Sequence, residues 1–322
     1  MLLRVGTRGS KLSLVQTDIV LDQLKRKDPK LVVERKIIKT RGDEDQRTPI
    51  FSINQKGIFE KEIDQAILER KIDVAVHSLK DVPVFEVDTK LVIASVPQRG
   101  SPSNVLVSKN SERLEELKSG SRVGTSSLLR VAQLKRVRPD LQPVPIRGNV
   151  DTRVQKVEDG EFDAVILAEA GLLRLGLTGR IAGRLSLDDF MPAPGQGILA
   201  LIARQDNKKV IVVARQDNGK VLEFLQSIED PPTRAQADAE RELVNVLEGG
   251  CKVPIGALAS SNRDSLYVTG CILSNDGKTR LESKKSGNIK EAAGLGREVA
   301  EELISKGAKK IEETWRGSYY RD

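Results

Sequence analysis

The feature that most constrains the fold of this chain is an alternation of strand-like and helix-like segments through its first two-thirds. Short apolar runs at 2–6 and 73–77 have the length of buried strands, whereas apolar residues recur near helical spacing over 11–25. Further strand-like segments lie at 31–38, 121–124, 144–146 and 163–168, and further helix-like segments lie at 61–70 and after residues 126 and 150. This alternation predicts α/β domains with largely parallel sheets.

The alternation is interrupted twice and then ends. Breaks near 97–103 and 191–197 predict crossings between two α/β domains. From about residue 223 the pattern changes to a helix over 234–247, strands over 265–273 and 278–283 around an Asn275-Asp276-Gly277 turn, and a helix over about 289–305. We therefore predict three domains, comprising residues 1–98 with about 198–222, residues 99–197, and an α+β domain over 223–322.

Composition narrows the class of partner. The chain has 53 basic and 46 acidic residues and a formal net charge of +7, which suits an anionic partner. Aromatic residues make up only 3% and no long basic run occurs, so the stacking platforms and docking motifs of nucleic-acid binders are not indicated. A small ligand with several carboxylates fits the charge at least as well, and we expect no nucleic-acid partner.

Membrane and metal binding are not predicted either. No apolar stretch reaches the length that a membrane helix needs. Two cysteines, Cys251 and Cys271, have neither metal-ligand spacing nor a disulfide pattern, and His77 is the single histidine. We expect no metal site and a reducing, cytoplasmic location.

Arginines and hydroxyl residues follow three of the predicted strands, where each strand ends. Carboxyl ends of parallel strands meet at one edge of a sheet, and helix N-termini there favour anions. Because arginine binds a carboxylate through two N–H groups, several such arginines would hold a polycarboxylate. For any one residue, a helix cap or a solvated charge is the simpler interpretation. The residues are Arg8 and Ser10, then Thr125, Ser126, Ser127 and Arg130, then Arg147 and Arg153.

The sharpest local signal is the segment 73–83 (DVAVHSLKDVP). A buried strand ends there and delivers Lys80 and Asp81 to the same edge. A carboxylate beside an ammonium group can stay ionised in a semi-buried cleft, accept a ligand N–H and stabilise positive charge. A structural surface pair is the alternative, and we interpret His77 as structural.

The two cysteines differ in their surroundings. Cys251 follows Gly249 and Gly250, which allow a bulky group to approach, and Lys252 would favour its thiolate form. Cys271 lies within a predicted strand and is expected to be a small buried hydrophobic residue.

Several motifs occur in order along nearly the whole chain. The two most specific are His77-Ser-Leu-Lys-Asp-Val-Pro83 and Leu247-Glu-Gly-Gly-Cys251. The others are Thr7-Arg-Gly-Ser10, Thr40-Arg-Gly-Asp43, Lys56-Gly-Ile-Phe59, Gly124-Thr-Ser-Ser-Leu128, Arg147-Gly-Asn-Val150, Leu167-Ala168 with Gly171-Leu172, and Gly195-Gln-Gly197. Together they resemble the ordered signature of the porphobilinogen deaminase family.

The resemblance implies both a fold and an activity. The fold comprises two periplasmic-binding-protein-like (type II) α/β domains facing a cleft, plus a smaller C-terminal α+β domain with the cofactor cysteine. The activity is that of a transferase of tetrapyrrole and haem biosynthesis, which deaminates four porphobilinogen molecules and joins them head to tail, releasing hydroxymethylbilane and ammonia. The product would grow on a dipyrromethane cofactor linked to Cys251 by a thioether bond, and a monomer is expected.

The resemblance also assigns roles residue by residue. Asp81 is the catalytic carboxylate, which contacts the pyrrole N–H groups. Cofactor binding is assigned to Cys251, Lys80, Asp81, Thr125, Ser126, Ser127 and Arg130. Substrate binding is assigned to Arg8, Ser10, Lys56, Phe59, Arg147, Arg153, Arg174 and Gln196.

The chain departs from the family pattern in four places. Leu129 stands where the family commonly has the first of two arginines, and Lys135 is a candidate replacement. The other departures are Gln236 and Ser52, each in place of a basic residue, and the recurrence of residues 203–207 (ARQDN) at 214–218. A degenerate protein that binds an anionic pyrrole or another polycarboxylate without catalysis is the alternative that Leu129 and this recurrence favour, although Asp81, Lys80 and Cys251 are retained.

Overall fold

The computed structural model describes residues 1–40, 42, 60–84, 90–205, 218–247 and 254–319, apart from the side chains of 218, 219, 312 and 316–319. The strands are β1 Leu2–Thr7, β2 Val32–Ile37, β3 Val74–Ser78, β4 Leu91–Ser95, β5 Asn104–Ser108, β6 Arg122–Gly124, β7 Gln142–Val144, β8 Ala164–Ala168, β9 Gly183–Arg184, β10 Leu199–Arg204, β11 Ile255–Asn262, β12 Ser265–Leu273 and β13 Arg280–Asn288. The α-helices are α1 Lys11–Lys27, α2 Lys61–Leu68, α3 Leu128–Val137, α4 Val150–Glu158, α5 Glu169–Arg174, α6 Asn218–Gln226, α7 Pro231–Val246, α8 Ala292–Ser305 and α9 Ala308–Tyr319.

The described residues form two compact units. The first contains those up to Arg99 together with Ile198–Arg234, and the second contains Gly100–Gly197 together with those from Ala235 onward. The predicted division into three domains stays a prediction.

The first unit is built on a mixed sheet of order β2-β1-β3-β10-β4. Strands β2, β1 and β3 run parallel, and β10 runs antiparallel to both of its neighbours. Apolar side chains of the sheet, such as Val5 and Val74, are buried in one cluster with Leu24 of α1 and Leu225 of α6. Because β1 and β3 are parallel neighbours, their C-terminal ends lie side by side at one edge.

The second unit contains a sheet of the same pattern, with the order β7-β6-β8-β5-β9. Strands β7, β6 and β8 run parallel, and β5 runs antiparallel to β8 and β9. Alternate residues of β5 enter different apolar clusters, Leu106 with Ile166 and Val105 with Val165. Burial on both faces explains why these strands are continuous apolar runs.

The C-terminal part of the second unit is an antiparallel sheet of order β11-β12-β13. Helices α7 and α8 pack closely over β12, since a Cβ at Gly270 would lie 2.6 Å from Leu243 and 2.8 Å from Val299. Trp315 of α9 is buried, and its indole N–H donates to Leu273 O at 2.8 Å. The predicted fold class, two type II α/β domains with a smaller α+β region, is confirmed.

Several predicted elements were wrong in extent. The strand expected over 144–146 is β7, which ends at Val144, because Pro145 has no N–H to continue the ladder. The strand expected over 278–283 is β13, and its later residues are polar and half-exposed, so no apolar pattern marked them. No sequence pattern predicted β11 or α9, and β11 is rich in small residues with low strand propensity.

None of the helices in the described part of the chain is both long and apolar enough to cross a membrane.

Candidate active site

In the first unit, the C-terminal end of β1 carries two of the predicted substrate-binding residues. Arg8 and Ser10 lie between β1 and α1, and Ser10 is the N-cap of that helix. Its Oγ accepts a hydrogen bond from Ser13 N at 3.3 Å and donates to Ser13 Oγ at 2.8 Å. The capping interpretation therefore holds for Ser10, whose hydroxyl is fixed at the edge of the sheet.

The neighbouring strand β3 delivers Lys80 and Asp81 to the same edge. Residues Leu79–Asp81 form one turn of 3₁₀ helix, which is held by Leu79 N donating to Ile198 O at 2.9 Å. Asp81 is exposed and Lys80 is half-buried. The structure thus places Arg8, Ser10, Lys80 and Asp81 beyond adjacent parallel strands, with the Asp81 carboxylate open to solvent.

His77, inside β3, is a buried neutral imidazole. Burial, assisted by the positive charge of Arg8, lowers the pKa of His77 to about 4. Its Nε2 atom has no hydrogen-bond partner within the described part of the chain. A group that is neutral throughout the physiological range and buried in a strand supports the structural interpretation of His77.

The depressed pKa makes stability depend on pH. Between about pH 6.5 and pH 4 the unfolded chain protonates His77 while the folded protein does not, so the free energy of unfolding falls as the pH falls. The expected slope from this group approaches about 1.4 kcal/mol per pH unit. Urea unfolding of the wild type and of His77→Asn across this window measures it. The carboxylates titrate in both proteins, so equal slopes would contradict the assignment.

In the second unit, the three hydroxyl residues after β6 build the turn into α3. Thr125 is buried, and its Oγ1 accepts a hydrogen bond from Ser127 N at 3.3 Å. Ser126 Oγ donates to Ile146 O at 2.6 Å and accepts from Ile146 N at 3.1 Å. Ser127 is the N-cap of α3. Their predicted contacts with the cofactor stay a prediction, to which the structure adds a local role for each hydroxyl.

Arg130 of α3 is a buried cation held by neutral groups. Its side chain donates to Asn104 Oδ1 at 3.0 Å, to Ile166 O at 3.0 Å and to Gln196 Oε1 at 3.2 Å. Burial, together with the positive charge of Arg153, lowers the pKa of Arg130 to about 10, so it stays protonated at neutral pH. A buried guanidinium whose acceptors are all neutral, beside a second cation, favours an anion.

In the same unit, Arg147 lies between β7 and α4, and Arg153 lies in the first turn of α4. Gly148 has a φ of +109°, a left-handed conformation that suits glycine. Arg153 Nε donates to Gly148 O at 2.8 Å, which holds its side chain against its own turn. These arginines follow β7, the parallel neighbour of β6, so they lie at the same edge as the turn that precedes Arg130.

Gln196 and Arg174 are anchored to the backbone where the chain enters and leaves the second sheet. Gln196 is buried, and its Nε2 donates to Pro102 O at 2.6 Å and to Asn104 Oδ1 at 3.1 Å. Arg174 donates to Gly197 O at 2.7 Å, and burial lowers its pKa to about 10. Gln196 therefore contacts Arg130 directly, and its predicted contact with substrate is not tested.

Asn104 is a site residue that the sequence analysis missed. It is buried at the start of β5, its Oδ1 accepts from both Arg130 and Gln196, and its Nδ2 donates to Phe190 O at 3.1 Å. A single amide before the apolar run Val105–Val107 was the available signal, since a buried amide needs partners.

Three of the predicted site residues, Lys56, Phe59 and Cys251, lie outside the described residues, as does Ser52. Cys271 is fully buried, and burial raises its pKa to about 11. The interpretation of Cys271 as a small buried hydrophobic residue is confirmed.

The residues that depart from the family pattern at positions 129 and 236 take part in packing and in hydrogen bonds. Leu129 is a buried side chain of α3. Lys135, the candidate replacement for the missing arginine, donates from Nζ to Asn275 O at 3.1 Å, in the turn between β12 and β13. Gln236 Nε2 donates to Ser261 Oγ at 3.0 Å. These contacts give Lys135 and Gln236 roles in holding the C-terminal region.

Fold and site together define an α/β protein in which each of the two mixed sheets has cationic side chains beyond the ends of its parallel strands. Comparison with known proteins makes this specific. Residues 3–212 match the family described as porphobilinogen deaminase, dipyromethane cofactor binding domain, and residues 235–305 match porphobilinogen deaminase, C-terminal domain. The chain belongs to the porphobilinogen deaminase family, as the sequence motifs indicated.

Curated relatives agree over nearly the full length. The chain is 44% identical over 312 residues to a probable porphobilinogen deaminase of Nitrosopumilus maritimus, which covers 97% of this chain and 96% of that protein. It is 44% identical over 307 residues to a porphobilinogen deaminase of Desulforudis audaxviator, covering 95% and 96% respectively.

Among solved structures, the methionine-binding protein MetQ is similar with 14% identity and a TM-score of 0.44, over 70% of this chain and 89% of that one.

Proposed function

We propose that this protein deaminates porphobilinogen and joins four molecules of it into hydroxymethylbilane, releasing ammonia. Dipyrromethane, linked through a thioether to Cys251, is the cofactor. Membership of the family supports this activity, because the two matched regions cover the cofactor-binding and C-terminal parts of that family.

The observation that carries the proposal is the state of Arg130. It is buried and charged, its hydrogen bonds go to neutral oxygens, and Arg153 adds a second positive charge nearby. Each porphobilinogen ring carries an acetate and a propionate group, so both the substrate and a dipyrromethane bring several carboxylates. Two-pronged binding by arginine suits these groups, and the residues present therefore fit the cofactor.

Asp81 is the catalytic residue in this proposal. Its exposed carboxylate accepts hydrogen bonds from pyrrole N–H groups and stabilises the positive charge that develops when ammonia leaves. Lys80 precedes Asp81 in the same 3₁₀ turn and belongs to the proposed cofactor-binding set. When bound, the cofactor supplies the nucleophilic pyrrole carbon to which the substrate is joined.

The remaining predicted residues bind and orient carboxylates. Arg8 and Ser10 do so beyond β1, and Arg147 and Arg153 do so beyond β7. Lys56, Phe59, Arg174 and Gln196 complete the proposed substrate-binding set, and Thr125, Ser126 and Ser127 complete the cofactor-binding set.

A cytoplasmic, monomeric protein belongs to the same proposal. The buried free thiol of Cys271 is consistent with a reducing compartment. Light scattering coupled to gel filtration tests the monomer, and a mass of twice 35.4 kDa would contradict it.

Intact-mass spectrometry before and after addition of porphobilinogen tests the activity. We expect the isolated protein to carry a dipyrromethane adduct, and we expect that adduct to grow by single pyrrole steps. A folded protein whose mass equals that of the bare chain and never shifts would contradict the proposal in favour of the degenerate binding protein.

A further inference from the structure

The outer edge of β11 is closed by groups from outside its sheet. β11 pairs with β12 along one side, which leaves alternate N–H groups on the other side in need of acceptors. Ala257 N donates to Pro192 O at 3.0 Å, and Ala259 N donates to Glu240 Oε1 at 2.7 Å. A loop and a carboxylate thus take the place of the missing neighbouring strand.

The same Glu240 carboxylate also binds the loop. Its Oε2 accepts a hydrogen bond from Gly195 N at 2.6 Å, so one side chain of α7 joins β11 to the segment that begins at Pro192. Glu240 is fully buried, and a buried carboxylate is stable only when hydrogen bonds replace its water. Gly195 has a φ of +75°, which directs its N–H toward Glu240 in a conformation that other residues rarely adopt.

This loop leads directly to the Arg130 anion site, which is the buried Arg130 guanidinium with its partners Asn104 and Gln196. Gln196 follows Gly195, and its amide group bonds both Arg130 and Asn104. A displacement of Gly195 would therefore move the oxygen that helps to hold the Arg130 guanidinium. The contacts run without interruption from β11 through Glu240 and Gly195 to Gln196 and Arg130.

We propose that Glu240 is a positioning residue that couples the Arg130 anion site to β11, the strand that follows Cys251 in the sequence. The proposal rests on the proposed function, in which Arg130 and Gln196 bind pyrrole carboxylates and Cys251 carries the cofactor. Through Glu240, the strand after the cofactor cysteine and the loop before Gln196 keep a fixed separation.

The test compares Glu240→Gln with Glu242→Gln in the cofactor-loaded protein. The first variant places an amide N–H against one of two backbone N–H groups. The second variant removes another carboxylate of α7, that of Glu242, which accepts hydrogen bonds from Arg297 and, at 3.1 Å, from Asn245 Nδ2. We expect Glu240→Gln to raise the KM for porphobilinogen about tenfold or more, with kcat changed much less, because ground-state binding of carboxylates is weakened. Glu242→Gln should match the wild type.

Two further measurements separate positioning from mere stability. Intact mass should show that Glu240→Gln still carries the cofactor, and hydrogen exchange at the amide of Gly195 should be faster than in the wild type. A lowered melting temperature with the KM of the Glu242→Gln control would overturn the proposal. If Glu240→Gln does not fold, Glu240→Asp keeps the charge while drawing the carboxylate back, and the same rise in KM is expected. Absence of turnover in the wild type itself would instead contradict the proposed function.

Discussion

An Asp81→Ala variant is expected to lose turnover by about a hundredfold or more, the scale of removing a preorganised electrostatic group, while its fold stays unchanged. Asp81 is exposed, so its truncation leaves no cavity. The turn that carries it is held by backbone bonds, from Leu79 N to Ile198 O at 2.9 Å and from Val82 N to Leu79 O at 3.0 Å. Steady-state kinetics with porphobilinogen and circular dichroism provide the two measurements.

Two further variants make the result specific. Asp81→Asn keeps the size of the side chain and removes its charge, so a comparable loss would assign the effect to the carboxylate. Asp22→Ala removes an exposed carboxylate from α1, about 18 Å along the helix from Ser10, and should be as active as the wild type. Turnover by Asp81→Ala within a few-fold of that control would end the proposed mechanism.

The sequence predicted the parts of the site that depend on local order. The apolar strand β3, followed by Lys80 and Asp81, was recognisable because burial on both faces leaves an uninterrupted apolar run before the polar turn. The turn at Asn275-Asp276-Gly277 was recognisable because these residue types favour tight hairpin turns, and Gly277 has the positive φ of +73° that such turns need.

What the sequence could not predict depends on partners distant along the chain. In the sequence, nothing distinguishes Asn104 and Glu240 from other polar residues. Their roles depend on partners that the fold brings to them across separations of 19 to 92 residues. The partners are Arg130 and Gln196 for Asn104, and Gly195 and Ala259 for Glu240. A local sequence pattern also cannot show whether a hydroxyl caps a helix or binds a ligand. Ser126 and Ser127 therefore matched a binding motif in the sequence, and the structure adds their bonds within the turn.

The charge balance around Arg130 depends on both kinds of residue, since the arginine was predicted from the sequence and its partner Asn104 was not. Neutral acceptors fix the direction of the guanidinium without neutralising it, so the protein positions a cation and leaves its charge to a ligand. An aspartate at position 104 could accept the hydrogen bonds from Arg130 and Gln196, but its charge would remove the attraction for carboxylates, and it could not donate to Phe190 O. A neutral asparagine at position 104 therefore indicates an anionic ligand as much as Arg130 itself does.

A Cys251→Ser variant is expected to lack the covalent cofactor altogether. The thioether requires a thiolate, and a serine hydroxyl does not ionise at neutral pH. The second cysteine cannot substitute, because Cys271 is fully buried and burial raises its pKa to about 11, which leaves about one thiolate in ten thousand at pH 7. The intact mass of Cys251→Ser should equal that of the bare chain, and addition of porphobilinogen should yield no hydroxymethylbilane.

Cys271→Ala is the matched control, since it removes the other thiol from the same chain. It should keep the adduct and the activity, with a small loss of stability from the cavity left beside Gly256, against which the Cys271 sulfur lies. An adduct retained by Cys251→Ser and lost from Cys271→Ala would show that Cys271, and not Cys251, is the attachment site of the cofactor. That result would also require β12 to open around Cys271, because a fully buried sulfur cannot reach a pyrrole carbon while the sheet is intact.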